Sequence, residues 1–144
     1  MRKDLLVASV LCASLSLAGN AASAAETFTV YVCDFVIRGS GGEKSKLVIA
    51  TDSSNRSFTY ENKPGSDKPV RIPVSARKGG PDQVIYSYAV DVPNVDGQTG
   101  RFDIQARIPA GGGQARVSMR GRGYVGTTTG DGTCTLERNV RLPY

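Results

Sequence analysis

Between Gly100 and Val125 the chain alternates with a strict period of two, breaks at Pro109-Ala110-Gly111-Gly112-Gly113, and alternates again. Phe102, Ile104, Ala106 and Ile108 share one face of the first run, and Arg101, Asp103, Gln105 and Arg107 share the other. On the return, Ala115, Val117, Met119, Gly121, Gly123 and Val125 oppose Arg116, Ser118, Arg120, Arg122 and Tyr124. A period of two is the signature of a strand with one buried face, so the stretch reads as a β-hairpin whose apolar side is core.

Parity tests the pairing, because a one-residue slip would turn every side chain to the wrong face. Setting Asp103 opposite Arg120 also sets Phe102 on Gly121, Ile104 on Met119, Ala106 on Val117 and Ile108 on Ala115, large against small. Setting Asp91 opposite Arg101 places Val90, Tyr88 and Tyr86 beside Phe102, Ile104 and Ala106. The same register sets Arg107 against Arg116 and Arg101 against Arg122, like charges that repel unless they splay into solvent or hold an anion.

The rest of the chain divides similarly. Thr27 to Ile37 is β-branched and aromatic on both faces as far as Asp34, as in a strand covered on both sides. Lys46–Thr51, Arg56–Glu61, Val70–Ala76 and Gln83–Val92 are further strands, separated by Gly-, Pro- and Asp-containing turns. Pro73 has no N–H for a ladder and marks an edge or a bulge. Val84, Tyr86, Tyr88, Val90 and Val92 oppose Ile85, Ser87, Ala89 and Asp91. Thr127 to Gly132 reads as a Thr/Gly loop, and Cys134 to Val140 as the last of eight strands. The expected fold is an all-β, antiparallel eight-stranded meander closed into a small barrel, with a two-sheet β-sandwich as the alternative.

Arg2 and Lys3 precede an apolar run from Leu5 to Ala18, which ends in Ala21-Ala22-Ser23-Ala24-Ala25. A basic start, a run too short to span a bilayer, and small residues at its end predict a signal peptide over 1–25, cleaved after Ala24 or Ala25. Residues 26–144 then form a single all-β domain, exported to the periplasm or beyond, with no membrane span. Cys12 leaves with the leader, so Cys33 and Cys134 remain as an even pair in a disulfide-permitting compartment and are expected to bond. The bond would require the first strand to approach the last within disulfide reach, which barrel closure provides and an open sheet does not.

The chain contains no histidine, which removes Ser-His-Asp and Cys-His catalysis and histidine metal sites. No metal or cofactor is expected. Asp91 and Asp103 reach one face of adjacent strands, where the simplest role for each is to offset a cross-strand arginine. The glycine runs 39–42 and 111–113 precede no helix and lack a Lys-Ser/Thr ending, so they are turns rather than phosphate loops. The reading is a non-enzymatic binding module.

Two candidate surfaces follow. Arg101, Arg107, Arg116, Arg120 and Arg122 with Tyr124 project from one wall, where guanidinium groups can grip a carboxylate, sulfate or phosphate of an anionic envelope component. A net charge of +5, or +4 after loss of the leader, agrees with that reading; nucleic acid is not an expected partner of an exported protein. The second is an interior cup for a small apolar ligand, lined by Phe58, Tyr86, Tyr88 and Phe102.

Tyr31-Val32-Cys33-Asp34 near the mature N-terminus, with a single late Cys134, resembles the layout of periplasmic inhibitors of c-type lysozyme. That resemblance implies a disulfide-closed barrel that inhibits a secreted hydrolase through a loop such as 39–43, 63–68 or 93–99. The Ser-Gly-x-x-Tyr stretch that this family inserts into the lysozyme cleft is absent. Inhibition of a hydrolase is therefore the alternative function.

Overall fold

A computed structural model describes residues 25–39, 41–62, 65–93, 96–123 and 125–142. The predicted leader lies outside them, apart from Ala25. Eight strands form one closed antiparallel barrel: β1 (Phe28–Ile37), β2 (Lys44–Thr51), β3 (Ser57–Glu61), β4 (Val70–Gly80), β5 (Gln83–Pro93), β6 (Thr99–Pro109), β7 (Gly113–Gly121) and β8 (Thr128–Val140). Each strand pairs with its neighbour in sequence, and β8 returns to β1. The fold is thus the barrel and not the sandwich.

The register derived from parity is the one observed. Asp103 faces Arg120, Ile104 faces Met119 and Ala106 faces Val117; Asp91 faces Arg101 and Tyr88 faces Ile104. Cys33 and Cys134 stand directly opposite each other in the β1–β8 ladder, with Cα atoms 4.0 Å apart, and are bonded. A cross-link of this kind belongs to an oxidising, non-cytoplasmic compartment. No helix among the described residues is long and apolar enough to cross a membrane.

Four expectations need correction. Thr127–Gly132 is not a loop, since from Thr128 it is the first part of β8, with Thr129, Asp131 and Thr133 on one face and Gly130, Gly132 and Cys134 on the other. Its core residues are glycines because β1 already fills the space: Phe35 pairs with Gly132 and is 2% exposed. A Cβ on Gly132 would lie 1.8 Å from the Asp34 carbonyl oxygen. Second, Gly123 and Val125 lie beyond the end of β7 and are exposed rather than inward. Third, Ile85 is buried although its strand parity points it outward, because its side chain lies where a Cβ on Gly79 would stand. Fourth, Phe58 is outside the barrel interior, as follows.

Strand β1 is buried on both faces and therefore serves two cores. Tyr31, Cys33 and Phe35 join Leu47, Ile49, Val74, Tyr86, Ile104, Ala106 and Ile108 in the interior. Phe28 and Val30 join Ala50 and Phe58 in a second cluster on the outer wall, sealed by Tyr60, Val140 and Leu142. Arg71 lies across this cluster, with its guanidinium carbon 4.5 Å from the Phe58 ring centre and 5.7 Å from that of Phe28. Such stacking keeps the charge in water while the side-chain stem covers the rings.

Closure is uneven. At one end the β6–β7 turn is tied inward, with Tyr31 Oη donating to the Ala110 carbonyl and Ala110 N donating to the Asp82 carbonyl. At the other end two seams part. β2 and β3 share only the pairs Ala50–Phe58 and Thr51–Ser57, and β4 meets β5 only from Ser75 onward. Pro73 lies just before the point where the β4–β5 ladder begins, as its missing N–H foreshadows.

Candidate functional site

Alternation along β6 and β7 sends the odd-numbered side chains of the former and the even-numbered ones of the latter to the outer wall. Three pairs cross it in succession: Asp103–Arg120, Gln105–Ser118 and Arg107–Arg116. Asp91 on β5 and Asp131 on β8 flank them.

The carboxylates on this wall are committed to arginines. Arg101 donates to Asp91 at 3.1 Å, and Arg122 donates to both oxygens of Asp103 at 3.2 and 3.0 Å. Arg116 Nε donates to Asp131 at 2.8 Å, and Arg38 pairs with the other oxygen of the same carboxylate. The hydrogen bond from Arg122 holds the Asp103 carboxyl below the usual range, and that from Arg116 does the same for Asp131. Asp103 in turn raises the already high pKa of Arg122. All these side chains are largely solvated, so the pairs add little stability and mainly hold the arginines in place.

Five of the six predicted wall residues are brought onto or beside one surface. Tyr124 lies outside the described residues. Among the described residues, Arg107 and Arg120 have no carboxylate in ion-pair contact. Arg107 faces Arg116 directly, as anticipated, and a hollow of about 380 Å³ between them is lined by Gln105, Arg107, Arg116 and Ser118. A neighbouring depression of about 560 Å³ continues past Gln105 and Ser118 to Asp103, Arg120 and Thr127. At roughly 3.4 Å per residue, positions 103 and 107 are about 14 Å apart along β6. The hollow offers two guanidinium groups, an amide and a hydroxyl, a donor-rich set suited to an oxyanion.

Sequence reasoning missed Arg38 and Asp131, which anchor one side of the hollow. The signal was the alternation of Thr129, Asp131 and Thr133, hidden by glycines at the positions between them. Asp91 and Asp103 sit in ion pairs with different arginines, the simpler of their two possible roles.

The interior cup is reduced. Phe58 belongs to the outer cluster, and Tyr86 is packed in the core, its ring centre 5.9 Å from that of Tyr31. Burial pushes the Tyr86 and Tyr88 phenols up to about 12, aided by Tyr31 for the first and the Glu61 carboxylate for the second. Open space lies toward Tyr88, at the parted β2–β3 seam. The loops 39–43, 63–68 and 93–99, proposed for hydrolase inhibition, fall partly outside the described residues.

Comparison with protein-family models, with curated proteins and with solved structures finds no match for this chain.

Proposed function

We propose that the protein is an exported, non-enzymatic binding module that holds an anionic envelope component against the outer wall of β6 and β7. The observation that carries this reading is the facing pair Arg107–Arg116 over a hollow floored by Gln105 and Ser118. Asp131 is shared between Arg116 and Arg38 and Arg107 has no carboxylate in contact among the described residues, so three arginines stand beside one carboxylate, and an oxyanion in the hollow would offset the remaining positive charge through charge-assisted contacts. Arg120, which also lacks an ion-pair partner among the described residues, extends the positive track past Ser118 toward the neighbouring depression. A repeating anion, such as a phosphorylated or sulfated glycan, suits a track of this length better than a single small ion.

Retention on immobilised phosphate groups over a salt gradient tests this. The wild type should elute late, and Arg107→Ser/Arg120→Ser should elute substantially earlier. Arg101→Ser/Arg122→Ser, which also removes two charges but from arginines held by Asp91 and Asp103, should shift elution less. Equal shifts for every arginine would reduce the effect to net charge and remove the site. Saturable inhibition of a muramidase, unchanged in these variants, would move recognition to the loops.

A further inference from the structure

The β3–β4 hairpin is joined to its neighbouring strands by backbone ladders only at its base. Beyond Phe58 it loses its ladder to β2, and before Ser75 it has none to β5, so Thr59–Glu61 and Val70–Ile72 have ladder partners only in each other. On the β2 side a side chain replaces the ladder: Thr59 Oγ1 donates to the Val48 carbonyl at 2.7 Å.

Space opens on both sides of this ribbon. A cavity of about 240 Å³ lies at the β2–β3 seam and one of about 750 Å³ at the β4–β5 seam. Glu61, Ile72 and Val90 line both, so the two are faces of a single mouth into the barrel. Leu47, Thr59 and Tyr88 complete the smaller side. An apolar cavity of about 150 Å³ already accommodates benzene, so a six-carbon body fits even the smaller space.

Two carboxylates, Glu61 and Asp91, and two cations, Lys46 and Arg71, line this mouth. Glu61 is half-buried and has no ion-pair partner among the described residues. Asp91 is held by Arg101, Arg71 lies over the outer rings and Lys46 is solvent-exposed, so Glu61 is the half-buried charge against the apolar lining. A carboxylate beside apolar walls gains most from a cation that also donates hydrogen bonds.

We propose that this mouth binds a small amphipathic molecule, its apolar body between Ile72 and Val90 and its ammonium group on Glu61. This site is independent of the arginine wall and prefers the opposite charge. The ribbon forms its roof, and with only its base laddered to the barrel it can yield to admit the ligand without breaking the β1–β8 closure.

The test is a titration of the full barrel with n-hexylamine, n-hexanol and n-hexanoate at neutral pH, read by methyl NMR shifts at Leu47, Ile72 and Val90. Hexylammonium should bind tightest and hexanoate weakest. Glu61→Gln should weaken hexylammonium about tenfold, to the level of hexanol, as expected for loss of one charge-assisted contact. Ile72→Trp, which fills the space, should weaken all three. If hexanoate binds as well as hexylammonium, or if none of these methyl groups shifts, the proposal fails. The ranking in the wild type decides this even if a variant does not fold.

Discussion

Gly132 faces the interior at a point where β1 leaves no room for a methyl group, whereas a Cβ on Gly111 in the β6–β7 turn would meet nothing within 4 Å. Gly132→Ala should therefore lower the unfolding free energy by about 1–3 kcal/mol or more, the usual range for overpacking, while Gly111→Ala should leave it nearly unchanged. Urea unfolding of the pair checks this, and equal effects would contradict the close approach of the β1 backbone at Asp34 and Phe35 to Gly132. From the chain alone these glycines are indistinguishable, since glycine is a turn signal unless the neighbouring strand is known to fill its place. That ambiguity turned the start of β8 into a loop. The buried phenols make a second prediction. A pKa raised in the folded state contributes stability that is complete below the ordinary value of 10.0 and is lost as pH rises through about 12. Spectrophotometric titration should show a late class of phenols whose ionisation accompanies unfolding, and Tyr86→Phe should shrink that class. Ionisation of every phenol near pH 10 with the fold intact would contradict the burial.

The β-hairpin of β6 and β7 was legible down to its register because large and small residues alternate in phase on both strands, with charges on the opposite face. The β3–β4 hairpin was legible as two strands but not as a partly detached ribbon, because a ladder's extent depends on how neighbouring strands diverge in space. Only Pro73 hinted at it. The consequence appears in amide exchange: amides of Val70–Ile72 and Tyr88–Val90 that face the open seam should exchange faster than paired amides of Ser75–Lys78 and Ile85–Ser87. Uniform protection along β4 and β5 would mean that the seam is closed in solution.

At the scale of the molecule, one covalent link joins the first strand to the last, and it was anticipated by setting Cys12 in the predicted leader, which leaves Cys33 and Cys134 as the pair. The chain-entropy model assigns about 4.7 kcal/mol to a closed loop of about 100 residues. Replacing Cys33 and Cys134 together by Ala should lower the urea midpoint accordingly, and an unchanged midpoint would show that the ladder closes the barrel unaided. The basic wall was equally legible, but its allocation of charge was not, since Asp131 sat in the supposed loop. That allocation leaves Arg107 and Arg120 without a carboxylate among the described residues and Arg116 sharing one with Arg38, and it underlies the functional proposal. Its most direct measurement is a titration with inorganic pyrophosphate, followed through the guanidinium Nε–H signals. Arg107, Arg116 and Arg120 should shift together and saturate, with Arg101 and Arg122 little moved. Saturation centred on Arg101 and Arg122, or equal unsaturable drift of all five, would contradict the anion site.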